Sequence, residues 1–182
     1  MGLRELKKEQ TRQHIADTAW ALFADRGFDR VSVAEVARAA QVAEATVFNY
    51  FPGKEDLFYS RLESFWARLA GAVSSRPPGQ PVLAAFQQAL LVDGGLLGQL
   101  ESGDPDALAR LRTVNRIVAA SPALLAREQQ VLAAAARDLA ARLAAETGAA
   151  AGDLRPQVVA NALIGVHRAL IDYVRRRVLD GD

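Results

Sequence analysis

Between Ser32 and Lys54 stand the side chains best suited to chemistry with another macromolecule. Thr46 offers a hydroxyl, Asn49 a carboxamide, Tyr50 a phenol and Lys54 an ammonium. Phosphate contacts position a protein on DNA, and contacts to base edges specify sequence. Asn49 can pair with the adenine edge in the major groove, and the Thr46 hydroxyl suits base or phosphate. Tyr50 would reach a phosphate. Lys54 opens a helix, so its ammonium and the backbone N–H groups there can meet the same phosphate. Arg38 and Ser32, on the preceding segment, complete the candidate DNA-binding set, together with Phe48 as a packing or groove-lining residue.

Catalytic chemistry has no comparable support. There are no cysteines, so disulfides, thiolate metal sites and cysteine nucleophiles are excluded together. The two histidines, His14 and His167, lie far apart and in no metal-binding spacing. Gly94, Gly95 and Gly98 are not a phosphate-cradling loop, because no strand precedes them and no lysine follows. The expectation is a protein that is not an enzyme and has no cofactor or metal. A net charge of +1 means that DNA binding would rest on a local patch.

The elements that must hold these residues are helices. Alanine and leucine dominate and strand formers are sparse, which predicts an all-α chain. Its 182 residues, 51% hydrophobic, suffice for a substantial core. Ser32 with Glu35 is a capping-box pattern, and Val33, Val36, Ala37 and Ala40 then share a helix face. Gln41-Val42-Ala43 reads as a turn. A second helix runs from Glu44 to Tyr50 and stops at Phe51-Pro52-Gly53. Val47 and Phe51 are core residues. Two short helices so joined fit a helix-turn-helix, whose second helix enters the major groove. Spacing alone fits a plain helical hairpin equally well. Ahead of them, Ile15, Ala16, Ala19, Leu22 and Phe23 form the stripe of a scaffold helix ended by Gly27.

In order, Ser32-Val33-x-x-Val36-Ala37-x-x-Ala40-x-Val42-x-x-x-Thr46-Val47-Phe48-x-Tyr50-Phe51-x-x-Lys54-Glu55-x-Leu57 resembles the DNA-binding signature of the TetR family of transcriptional repressors. Ala19, Leu22, Phe23, Gly27 and Phe28 extend the resemblance, which covers roughly residues 11 to 60. It implies a three-helix DNA-binding domain over residues 1–53 and a helical ligand-binding and dimerisation domain over 54–182. Several positions depart from the family pattern. Serine is common where Ala43 stands, glycine where Gln41 and Ala45 stand, and tyrosine where Phe48 stands. Family members also commonly carry a further helix beyond the point where this chain stops.

Downstream, helices are predicted over 54–74, 82–93, from Asp104-Pro105 to 119, from Ser121-Pro122 to 147, and from 154 to 179 behind an Asp153 cap. Proline and glycine at 75–81 separate the first two. Phe65, Trp66, Phe86, Leu90, Asn115 and His167 are candidate pocket residues. Phe65 and Trp66 read first as core and His167 as a satisfied core residue, with the pocket as the alternative reading. The last helix is apolar on most of its surface, with Val159, Leu163, Val166 and Leu170 in one stripe. Val158, Ala162, Gly165 and Ala169 form another, of mostly small residues. Such a helix must be buried on most sides. The second stripe is read as a homodimer interface, with a central helix inside one subunit as the alternative.

The sequence therefore predicts a ligand-responsive transcriptional repressor. It would bind a palindromic double-stranded DNA operator as a homodimer and leave it on binding a small, largely apolar effector. No run is long and apolar enough for a membrane span or a signal peptide, so the expected location is cytoplasmic. The alternative is an all-α small-molecule-binding or assembly module without DNA regulation.

Overall fold

The computed structural model describes residues 2–92 and 106–180, and among these there is no strand. Eight helices are described: α1 (Leu3–Arg26), α2 (Val33–Ala39), α3 (Glu44–Tyr50), α4 (Lys54–Ser74), α5 (Val82–Val92), α6 (Ala107–Ala120), α7 (Pro122–Thr147) and α8 (Arg155–Asp180). The predicted Gly94, Gly95 and Gly98 segment and the Asp104-Pro105 start signal lie outside the described residues.

The chain divides into two compact units. The first runs to Arg61 and takes in Ile117–Arg127, the corner between α6 and α7. Its core follows the expected stripe: Ile15, Ala19 and Phe23 of α1, Val36 of α2, Val47 of α3, and Phe51 and Leu57 are almost wholly buried. Aromatic rings close it. Phe58 stands 5.6 Å from Trp20, 6.3 Å from Phe23, 6.2 Å from Phe28 and 5.1 Å from Tyr59, between ring centroids. Three polar ties bind the α6–α7 corner into this unit. The Tyr59 hydroxyl donates to the Leu124 carbonyl at 3.1 Å, and Ser121 Oγ donates to Asp29 Oδ1 at 3.0 Å. Arg127 Nη2 pairs with Asp56 Oδ1 at 2.6 Å.

Gln41 sits in the α2–α3 turn with φ of 57°, the left-handed region. A side chain there costs about 1–2 kcal/mol that glycine avoids, partly offset by the greater freedom of glycine in the unfolded chain. Gln41→Gly is therefore expected to raise stability by about 0.5–1 kcal/mol. The readout is a higher urea midpoint at unchanged slope, with Gln41→Ala unchanged as the control.

The second unit comprises Leu62–Arg116 and Glu128–Asp182. Leu69, Val73, Phe86, Leu139, Leu143 and Ala160 are buried in it. Arg76 grips Glu146 with two bonds, 2.7 and 2.6 Å, which fastens the turn after α4 to the end of α7. Deeper in, Arg175 of α8 pairs with Glu128 of α7 at 2.6 and 3.1 Å and donates to Asn115 Oδ1 of α6 at 3.1 Å.

Not every large apolar side chain of these helices reaches the core. Leu83, Leu91 and Leu108 are exposed. In α7 the buried residue is Leu124 and not Leu125, which is exposed. The stripe of α7 runs Leu124, Glu128, Val131, Leu132, Leu139, and a charged residue at its second step hides the phase from hydropathy. In α8 the predicted first stripe splits. Leu163 packs inward with Ala160 and Ile164, whereas Val159, Val166 and Leu170 are exposed.

Candidate nucleic-acid interface

α2 begins with a complete capping box. Glu35 N–H donates to Ser32 Oγ at 3.2 Å, and Ser32 N–H and Oγ each donate to Glu35 Oε2 at 2.8 Å. The Ser32 N–H and hydroxyl, followed by the nearby Arg26 and Arg38 charges, hold the Glu35 carboxyl below the usual range. Ser32, predicted to touch DNA, is thus committed to its cap. α3 has no such device: Ala43 is its N-cap and makes no side-chain bond. Where α2 buries both Val36 and Ala37, α3 buries Val47 alone, and this one residue fixes which face of α3 turns inward. The opposite face presents Phe48, 47% exposed, and Asn49, also exposed. Thr46 and Tyr50 are half-buried beside them, and Arg38 is exposed on α2.

Lys54 Nζ lies 4.1 Å from the centre of the Phe28 ring, a cation–π contact within the first unit. The Gly53 N–H, at the start of the helix expected to meet phosphate, instead donates to Asp56 Oδ2 at 2.7 Å. Arg12 lies over the Phe51 ring at 5.2 Å, so it packs against the end of α3. His14 is exposed, with Nε2 3.2 Å from the Ala40 carbonyl oxygen.

In the second unit, Phe65, Trp66 and His167 come together, with Trp66 and His167 ring centres 4.7 Å apart and Phe65 and His167 6.0 Å apart. Trp66 is buried and its Nε1 has no hydrogen-bond partner among the described residues. Phe86 is buried and Leu90 half-buried. The Asn115 amide donates to the Leu111 carbonyl at 2.9 Å and its Oδ1 accepts from Arg175, so it takes part in the ion-pair network. A cavity of about 360 Å³ in this unit is lined by other residues, among them Leu69, Ala72, Arg76, Gln80 and Gln88. Val158, Ala162, Gly165 and Ala169 all lie exposed on one face of α8, beside Val166, Leu170 and Tyr173. Among the described residues no group of three or more acidic, histidine or cysteine side chains could hold a metal.

Burial pushes the His167 imidazole down to about 4, so it is neutral in the folded chain at pH 7. The unfolded chain then binds the extra proton between pH 6.5 and 4. Stability is expected to fall as pH drops through that window, by on the order of 2 kcal/mol from this group, and to level off below it. Denaturation at pH 7 and pH 4.5 checks this: His167→Gln should lose less stability between the two than the wild type.

These features define a helix-turn-helix regulator, and comparison with known proteins agrees. Residues 15–60 match the profile of bacterial regulatory proteins of the tetR family, and residues 80–178 match that of the MftR C-terminal domain. The chain belongs to the tetR family and is a DNA-binding transcriptional regulator. It is similar to a Mycobacterium tuberculosis protein named as a mycofactocin biosynthesis transcriptional regulator, MftR, at 29% identity over 88% of this chain and 77% of that one. It is also similar to the HTH-type transcriptional regulator TcmR of Streptomyces glaucescens, at 27% identity over 93% and 75%. In fold it resembles NalD, the secondary repressor of the MexAB-OprM multidrug efflux pump in Pseudomonas aeruginosa. That match has a TM-score of 0.51 and 21% identity, and covers 96% of this chain and 86% of NalD.

Proposed function

We propose that the protein is a repressor that binds a palindromic operator as a homodimer and is released by a small, largely apolar effector. The observation that carries the DNA-reading part is the orientation of α3. Val47 is wholly buried, and Asn49 and Phe48 face outward on a helix of only seven residues. Asn49 reads a base edge, Thr46 and Tyr50 position, and Arg38 and Lys54 meet phosphate, Lys54 after leaving the Phe28 ring. DNA reading is assigned to the first unit, which extends the expected 1–53 to Arg61 and adds Ile117–Arg127, and effector binding and dimerisation to the second unit.

The homodimer rests on α8. A helix face carrying Val158, Ala162, Gly165, Val166, Ala169 and Tyr173 in the open is an apolar patch that marks an interaction site. A Cβ added at Gly165 would meet none of the described residues within 4 Å, so a second helix can approach closely there. A dimer would set two α3 helices about 34 Å apart on successive major grooves. Trp66 Nε1 and the neutral His167 give the effector a polar anchor in an otherwise aromatic setting. Release requires that the effector bind the two states of the repressor with different affinity.

The test begins with selection of an operator from a random duplex library. On the selected site, Lys54→Ala should weaken binding across all sequences and lower the salt slope by about 1. Asn49→Ala should cost about 1–3 kcal/mol and relax preference at one base pair per half-site. Failure of the wild-type chain to enrich any sequence would support the alternative, a binding module that does not regulate DNA.

A further inference from the structure

We infer that Arg127 is a positioning residue for operator binding, acting through Asp56 on the turn that joins α3 to α4; this rests on the operator-binding reading above. The turn Phe51-Pro52-Gly53 sets how α3 leaves the domain and where Lys54 begins. Gly53 immediately precedes α4, in the N-cap position, and Asp56 is the third residue of the helix. Asp56 Oδ2 accepts the Gly53 N–H at 2.7 Å, which is one half of a capping box. The other half needs a side-chain oxygen on the N-cap residue, and glycine has none. The contrast with α2 is direct, since Ser32 and Glu35 complete both halves.

Arg127 supplies the missing hold. Its Nη2 takes the second oxygen of Asp56, Oδ1, at 2.6 Å. Both side chains are mostly shielded, 28% and 17% exposed, so the pair is stronger than one on an open surface. Arg127 is itself steadied, because the Tyr59 hydroxyl holds the Leu124 carbonyl one turn earlier on α7 and Ser121 is tied to Asp29. The α6–α7 corner is therefore a working part of the DNA-reading unit, although it lies far from α3 in sequence. Its role is to keep the Asp56 carboxylate aimed at the Gly53 amide.

The experiment uses the full chain and the selected operator. Arg127→Gln is expected to weaken operator binding about tenfold without the fall in salt slope seen for Lys54→Ala. Arg127→Lys, which keeps the charge but offers a single point donor, should recover part of the loss. Asp56→Asn is the deciding variant. It removes a negative charge close to DNA, so plain electrostatics predicts tighter binding, whereas a positioning role predicts weaker binding. The double variant should then be no worse than the more damaging single. Wild-type affinity in Arg127→Gln, or tighter binding in Asp56→Asn, overturns the inference. If Arg127→Gln melts below the assay temperature, Arg127→Lys and Asp56→Asn decide the question alone. Hydrogen exchange at the Gly53 amide reads the same link without DNA. Exchange about tenfold faster in Arg127→Gln is expected, and an unchanged rate overturns the inference even if the wild-type chain binds no operator.

Discussion

Replacing Arg175 by methionine is expected to lower the unfolding free energy by about 3–5 kcal/mol, among the larger effects available to one residue of this chain. Arg175 and Glu128 have side chains only 14% and 12% exposed, and they meet through two bonds. Removing the guanidinium leaves a carboxylate away from water with its best partner gone, and it also strips a donor from Asn115. The cost comes mainly from that orphaned charge and less from the worth of the pair. The double replacement Glu128→Leu with Arg175→Met should therefore recover much of the loss. Urea denaturation of the four proteins in a double-mutant cycle measures this. A double variant as unstable as Arg175→Met alone would show that the pair, and not the stranded charge, supplies the stability.

The second large effect is expected at Phe58. Phe58→Ala should cost about 3–5 kcal/mol, because it opens a cavity at the ring that four other aromatic side chains share. Lost edge and stacking contacts add to the loss of buried area. Phe58→Leu keeps most of the volume and should cost about 1–2 kcal/mol. Since Phe58 packs α4 against Trp20 and Phe23 of α1 and against Phe28, the alanine variant should lose DNA binding along with the near-ultraviolet signal of the aromatic cluster. Retained operator affinity at the wild-type level in Phe58→Ala would refute a role for this cluster in holding α3.

Much of the helical framework is legible from residues close together in the chain. The bounds of α3 and α4 follow from the Phe51-Pro52-Gly53 stop and the acidic first turn of α4. The start of α2 follows from the Ser32–Glu35 box, and the end of α1 from Gly27 at φ of 81°. Each is a local event, in which a cap or a stop acts over three or four residues. The inward direction of Val47, and with it the outward direction of Asn49, follows from helical spacing in the same way.

What local spacing cannot encode is which distant partner takes up a polar group. Lys54 is a suitable DNA contact by donor chemistry, yet it lies over Phe28, far from it in sequence. Asn115 has the chemistry of a pocket residue, and Arg175, sixty positions away, claims it. The stripe of α7 passes through Glu128, which hydropathy assigns to solvent until Arg175 is seen beside it.

The sequence by itself determined the all-α class, most helix limits, the family and the outward face of α3, because caps, stops and periodicity act within a few residues. Only the tertiary structure decided that the corner of Ile117–Arg127 packs in one compact unit with α1, α2 and α3. The contacts that place it there join residues 65 and 92 positions apart. Such pairings are set by how helices pack, and no repeat along the chain records them.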